Sequence, residues 1–408
     1  MVRSREWPPK FLTHQLEEVM KSYLESLWKS VPAMFFGALV WLSVSAFALT
    51  QSPSQEAVPV LEGLDPVLLV QGKEVQGNLK ITVTRGRFQY FFASEENKAV
   101  FAKDPARYEI QMDGACARMG PPVTGSPDLF SVYQGRIYIF GTGGCKKAFD
   151  AAPENYLEPA SGAKPKAVFT PDAFTKGQSL IEKAVSALGG AAQIDNLTSY
   201  QAKSTSLQHR QQGDVEVKTN LTILFPNRIR FEQVMPDWNN SSATRQMTTV
   251  ITPSEVFGIL ANDVRSLPNG ARLEQEQEIK RWPLSILRAR KDAGFNAAAI
   301  GTGKVGETMV EQVAVEIDGT GYTLGIDPAT NRIMSLSYQR RGPQGNFGQF
   351  VQVFSDFRIV DGLTLPFKVN ATFNDQPWKE RSPIVEAITI NGKVDPAVFE
   401  RPKTGRKQ

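Results

Sequence analysis

Two cysteines and two histidines are the whole supply of thiol and imidazole in a chain of 408 residues. A catalytic zinc site takes three or four such ligands, so metal catalysis built on histidine is not expected. His14 stands near the N-terminus, and His209, in QHRQQGD, reads as a solvated turn residue. The stretch Gly301-Thr302-Gly303-Lys304-Val305-Gly306 has the GxGxxG spacing. A dinucleotide site needs that motif to open a helix. Here it is followed by MVEQVAVEIDG, which alternates as a strand does, so the glycines read as a turn. No GxSxG nucleophile elbow occurs. Glu274, Glu276 and Glu278 alternate in EQEQE and read as a solvated charged face. Trp238-Asn239-Asn240 reads as a polar loop, and Arg340-Arg341-Gly342-Pro343 as a mobile hairpin. Neither an enzymatic constellation nor a cofactor is expected.

Lys plus Arg number 46 against 42 Asp plus Glu, a net charge of +4 that implies no nucleic-acid partner. A hydrophobic fraction of 41% with 22% charged residues is globular composition, and the length suits two or three domains. Residues 31–49, VPAMFFGALVWLSVSAFAL, carry no charge. A run of that length spans a bilayer, and it ends in Ala46-Phe47-Ala48, a small-x-small cleavage pattern. It is expected to be a signal peptide, or a transmembrane helix that contacts the membrane if uncleaved. Either places the chain in the periplasm or cell envelope. Residues 1–30 read as an amphipathic segment, or translation starts at Met20 and leaves a short basic n-region. In an exported chain Cys116 and Cys145 are expected to form a disulfide bond. A two-thiolate site for a soft ion such as Cu(I) is the alternative.

After a Pro/Ser/Gln linker at residues 50–61, two segments resemble one another: GRFQYFFASEENKAVFAKDPARY from Gly86 and GRIYIFGTGGCKKAFDAAPENY from Gly135. Phe101 matches Phe149, Pro105 matches Pro153 and Tyr108 matches Tyr156, each 48 residues on, and Cys145 falls where the first copy has Asn97. A shared period of this kind predicts two copies of a strand–turn–helix unit packed together. Gly63-Leu64-Asp65-Pro66-Val67, then Tyr90-Phe91-Phe92-Ala93-Ser94-Glu95-Glu96-Asn97-Lys98 with Phe101 and Asp104-Pro105-x-x-Tyr108, resembles a YHS domain over about residues 62–158. Gln111-Met112-Asp113-Gly114-Ala115-Cys116-Ala117 resembles the segment that follows in exported members. The resemblance implies a small α+β module at residues 62–160, in some members linked to metal handling.

A second linker, residues 161–175, precedes a domain at residues 176–402. Leu180, Ile181, Ala184, Val185 and Leu188 share one face of a helix that Gly189-Gly190 ends. Beyond Tyr200 the period is two. Val215, Val217, Leu221, Ile223, Phe225, Ile229 and Phe231 are odd-numbered, as are Val313, Val315 and Ile317, then Val351, Val353, Phe357 and Ile359, and finally Leu363, Leu365, Phe367, Val369 and Phe373. Such alternation predicts antiparallel strands with one apolar face. Residues 260–290 break the pattern and read as a helical or irregular insertion, carrying Trp282, that covers part of the sheet. The fold class expected is α+β: a tandem-repeat module followed by a curved antiparallel half-barrel covered by helices.

Several of these residues carry a second resemblance. Leu188-Gly189-Gly190, Tyr200-Gln201-Ala202-Lys203 and Phe225-Pro226-Asn227-Arg228-Ile229-Arg230-Phe231 come first, then Leu324-Gly325-Ile326-Asp327-Pro328. Ser355-Asp356-Phe357-Arg358, Asp361-Gly362-Leu363 and Ile390-Asn391-Gly392 follow. Over about residues 178–402 they resemble the periplasmic carrier and sorting proteins of outer-membrane lipoproteins (LolA-type). That resemblance implies a non-enzymatic protein with an apolar groove for lipid or lipoprotein acyl chains, with other envelope proteins as further partners. From the alternation, the groove residues expected are Leu221, Ile223, Phe225, Ile229, Phe231 and, from the insertion, Trp282. The alternative function is a copper-type metal-handling YHS protein of the envelope.

Overall fold

The computed structural model describes residues 57–121, 123–158, 169–210, 213–237, 243–260, 263–267 and 276–402. The apolar run at 31–49, the Trp238 loop and Glu274 lie outside the described residues. Among the described residues no helix is long and apolar enough to cross a membrane.

The first module is built twice from the same parts. Strand β1 (Val58–Pro59) runs parallel to β3 (Phe88–Phe92), which pairs antiparallel with β2 (Asn78–Arg85). Val60 and Leu61 are buried, so the module begins inside the stretch that composition marks as linker. In the second copy β4 (Ser126–Tyr133) pairs with β5 (Arg136–Phe140). The short helix α1 (Pro66–Leu69) precedes β2, helix α2 (Glu95–Lys103) follows β3, and α4 (Gly143–Ala151) follows β5, with the short α3 (Pro105–Tyr108) after α2. Ser94 and Thr142 cap the two longer helices, each accepting from the amide of the third helical residue, Asn97 or Cys145. Phe101 packs on Tyr90 and Phe92 at ring separations of 5.1 and 5.2 Å, and Phe149 packs on Tyr138 and Phe140 at 5.3 and 5.1 Å. The copies differ in where glycine falls in the two-residue hairpin turn. Gly86 takes its first place in one, while Gln134 (φ +50°) and then Gly135 (φ +67°) occupy the other.

The second domain is one large curved antiparallel sheet, fourteen-stranded among the described residues and not closed. Its first half is the meander β6 (Ser199–Arg210), β7 (Gly213–Leu224), β8 (Arg228–Pro236), β9 (Thr244–Ile251), β10 (Val256–Leu260) and β11 (Asp263–Ser266). The second half is β12 (Phe295–Val305), β13 (Thr308–Ile317), β14 (Thr320–Ile326), β15 (Ile333–Arg341), β16 (Phe347–Val360) and β17 (Leu363–Phe373), with the short β18 (Gln376–Pro377) beside β17. The last strand, β19 (Ile384–Ile390), returns to join the halves by pairing β6 along its length and β17 at Lys368.

Three expectations change. Residues 263–266 of the insertion form a strand, continuing the meander by one hairpin. Gly301 and Gly303 lie within β12, with a bulge between Ala299 and Gly301, and the turn itself is at Gly306. Strand β13, not a helix, follows the glycines, so they do not open a helix as a dinucleotide motif does. The fully buried residues of β16 are the even ones, Phe350 and Phe354, while of the odd series Phe357 is half-buried against the core and Ile359 is 78% exposed. Directly opposed residues in an antiparallel pair share a face. The buried odd series of β17 therefore puts Phe350 (opposite Phe373) and Phe354 (opposite Val369) inside.

Candidate functional site: the covered concave face

Register places the apolar residues in rows across the strands. Ile390, Tyr200, Ile223, Ile229, Ile251 and Val256 form one row across six strands, and all six are buried. The adjacent row runs Ile388, Ala202, Leu221, Phe231, Thr249. In the other half Val313, Leu324 and Leu336 are opposed in turn, as are Tyr338, Phe350 and Phe373.

Helices cover this face. Helix α5 (Pro171–Leu188) contributes Leu180, Ile181, Ala184 and Val185, α6 (Ala191–Asp195) contributes Ile194, and α7 (Pro283–Arg288) contributes Leu284, Ile286 and Leu287. These helix residues share one core with Ile390, Tyr200 and Ile223 and with the second-half rows, while Ile229, Ile251 and Val256 form a separate cluster with Leu221, Leu267 and Ile279 packed against it. Gly177 brings α5 against the sheet, since a β-carbon there would stand 2.6 Å from the Ala297 carbonyl oxygen.

The six expected groove residues are therefore placed as follows. Ile223 and Ile229 are buried; Leu221, Phe225 and Trp282 are half-buried against the core; Phe231 is half-buried opposite Leu221. Trp282 meets Tyr200 edge-on at 4.8 Å, and the Arg288 guanidinium lies 4.4 Å above the Phe225 ring. The cover packs on Ile223, Leu221 and Phe225 in this conformation. A depression of about 500 Å³ lies elsewhere, where α5 passes Glu311, Pro328 and Asn331, and it is bridged by Lys176 to Glu311 at 2.8 Å.

Ionic ties hold the cover down. Arg290, its side chain 2% exposed, donates to both carboxylate oxygens of Asp195 at 2.7 and 3.0 Å, and Lys291 donates to the same carboxylate at 2.6 Å. The Arg290 and Lys291 hydrogen bonds hold the Asp195 carboxyl well below the usual aspartate range. Residues 276–280 are helical and carry Glu278, which accepts from Arg281 at 2.9 Å, Arg340 at 3.0 Å and Arg381 at 3.2 Å. Burial alone would raise the Glu278 pKa, but the Arg381, Arg340 and Arg281 charges outweigh it and the net shift is downward. Arg281 sits 4.7 Å over Tyr338, whose phenol burial pushes up to about 12.

Glu278 is therefore not on a solvated face, and Arg340 is not in a mobile hairpin. Arg340 was legible in part: it continues the parity of Leu336 and Tyr338, and a charge on the apolar parity of a strand must be paired. His209 ends β6 and meets Asp214 at 2.9 Å across the β6–β7 hairpin, largely exposed. Cys116 and Cys145 lie in one buried cluster of the first module as free thiols, not joined in the expected disulfide. Among the described residues no three His, Cys, Asp or Glu side chains group as a metal site.

No protein-family model matches the chain, and no curated protein matches its sequence. Solved structures show similarity over the sheet domain. An outer-membrane lipoprotein-sorting protein domain from Vibrio parahaemolyticus is 8% identical, with a TM-score of 0.36, over 55% of this chain and 96% of that one. A DUF1329 family protein from Desulfovibrio piger is 12% identical, with a TM-score of 0.37, over 56% and 97%. A LolA superfamily protein from Nitrosomonas europaea is 10% identical, with a TM-score of 0.35, over 58% and 99%. At these values the likeness carries no statement about activity.

Proposed function

We propose that this chain is a non-enzymatic binding protein of the cell envelope that holds an apolar cargo, a lipid or the acyl chains of a lipidated protein, against the concave face of its sheet. The observation that carries this reading is the nature of the cover. A one-sided apolar sheet is ordinarily sealed by a second sheet or by well-anchored helices. Here the insertion side of the cover is short helix, tied by carboxylate–guanidinium links at Asp195 and Glu278. Swinging that segment away would uncover Leu221, Ile223, Phe225 and Ile229, with Phe231 beside Leu221 in the next strand, an apolar lining of the kind that lipid sites have. Export through residues 31–49 puts the protein where such cargo is found.

The test is organic extraction of protein purified from the envelope fraction, followed by mass spectrometry, with a fluorescent fatty acid as the binding probe in vitro. Stoichiometric lipid, or saturable probe binding that Phe231→Glu abolishes without lowering the melting temperature, is the expected result. Protein that carries no lipid and ignores the probe, even with the cover loosened by Glu278→Gln, overturns the reading.

A further inference from the structure

The two copies in the first module share a set of backbone bonds, although the first carries a longer loop with the short helix Pro66–Leu69, and they differ at a buried pair. In the first, Leu61, Glu62 and Gly63 take φ of +60°, +54° and +78°, and Asp65 follows two residues on. In the second, Met112, Asp113 and Gly114 take +57°, +52° and +76°, and Cys116 follows. The backbone then closes identically. Asp65 N donates to Val75 O at 2.9 Å and Cys116 N to Val123 O at 2.7 Å, while Gly77 N reaches Gly63 O and Gly125 N reaches Gly114 O, both at 2.9 Å. Cys116 is thus the counterpart of Asp65, and Cys145 that of Asn97. Asn97 Nδ2 donates to Asp65 Oδ2 at 2.8 Å, fastening the loop to the start of α2. Asp65 also accepts from the amides of Val67, Leu68 and Ala93. A cysteine sulfur is too weak an acceptor to do this. At the Ala93 position the second copy has Gly141, where a β-carbon would stand 3.9 Å from the Cys116 β-carbon.

We infer that Cys116 and Cys145 are an oxidation site, closed into a disulfide by an oxidant of the thiol–disulfide class, and that this bridge does in the second copy what the Asp65–Asn97 bond does in the first. Cys145, 8% exposed at the start of α4, attacks a sulfur of the oxidant's disulfide and displaces its other sulfur as a thiolate. Cys116, fully buried beside it, then attacks Cys145 and displaces the second sulfur. The two cysteine protons and two electrons pass to the oxidant, which leaves as two thiols. Burial opposes the Cys145 thiolate, but Thr142, Cys116 and Arg118 outweigh it and lower the thiol's pKa. The bridge bears on a further contact. The residues after Cys116 receive Arg341 of the sheet domain, whose Nη1 donates to Arg118 O at 3.0 Å and to Tyr156 O at 2.7 Å.

The experiment uses the full chain, reduced with dithiothreitol and then treated with oxidised glutathione. Maleimide labelling under denaturing conditions is expected to fall from two thiols to none. The intact mass should drop by two hydrogens with no glutathione retained, and amide exchange at residues 117–120 should slow. Two thiols that stay labelled, or glutathione left on Cys145 as a mixed disulfide, overturn the assignment; exchange unaltered by oxidation overturns the link to the Arg341 contact. The double variant Cys116→Asp/Cys145→Asn covers the case in which single serine variants fail to fold. It should melt as a folded protein whose exchange no longer responds to glutathione, and an unfolded double variant would overturn the equivalence of the pairs.

Discussion

Asp195 and Glu278 hold more of the cover than their number suggests, because each carboxylate answers more than one cation. Removing one partner of a largely buried pair leaves the other charge uncompensated. Glu278→Gln is expected to cost about 3 kcal/mol, since three guanidiniums lose a shared carboxylate with a side chain only 18% exposed. Chemical denaturation checks this. For Asp195 the sign of the pH effect follows from its depressed pKa. Its contribution is complete above the unfolded aspartate value of about 4 and is lost as the pH falls through the folded value. Melting temperature should therefore be level near neutrality and fall on acidification, and Asp195→Asn should lower the plateau and flatten the fall. A variant that keeps the wild-type acid profile would show that the Arg290 tie contributes nothing. Such residues were hard to read from sequence, because a glutamate in EQEQE has the same local pattern whether water or arginines surround it. Ile223, Leu363 and Leu365 were legible, because burial of every second residue is itself the pattern.

At the scale of elements, alternation identified β7, β8, β13, β16 and β17 but not always which parity faces in. Strand β17 alternates cleanly and its odd residues are buried. Strand β16 carries apolar residues on both parities, so its facing is fixed by its neighbour and not by its own sequence. The glycines of β12 illustrate the same limit: a bulged edge strand and a turn share a composition, and pairing with β13 decides between them. The docking of α5 was visible as a helical apolar stripe, whereas its closeness to the sheet rests on one residue. Gly177→Leu should force α5 off β12, because the clash is with backbone at Ala297 and Ala298 and no side chain can move aside. A loss of about 2 to 3 kcal/mol is expected, the usual result of overpacking. If the cover is also the gate to the apolar face, the same variant should bind the fatty-acid probe faster than the wild type in stopped-flow mixing.

In the molecule as a whole, the hairpin between β15 and β16 links the repeat module to the sheet. Arg341 was expected in a mobile loop; instead its Nη1 is shared among the carbonyl oxygens of Ala117, Arg118, Tyr156 and Gly345 at 2.7 to 3.4 Å. Three of those four belong to the first module, and its guanidinium stacks 4.6 Å over Phe347 on its own side. Gly120 lies against the arginine stem, where a β-carbon would stand 2.5 Å from Nε. Backbone carbonyls carry no sequence signature, which is why the contact could not be anticipated from residue types. Hydrogen bonds to a charged group contribute about 1.5 to 3 kcal/mol, comparable to the margin that makes two modules melt together. Arg341→Ala should therefore split a single calorimetric transition into two, the repeat module separating from the sheet domain. Arg341→Lys keeps the charge but presents a single ammonium in place of a planar fork, so it should restore the coupling only in part. A single unshifted transition in Arg341→Ala would mean that the modules are held together by something other than this hairpin.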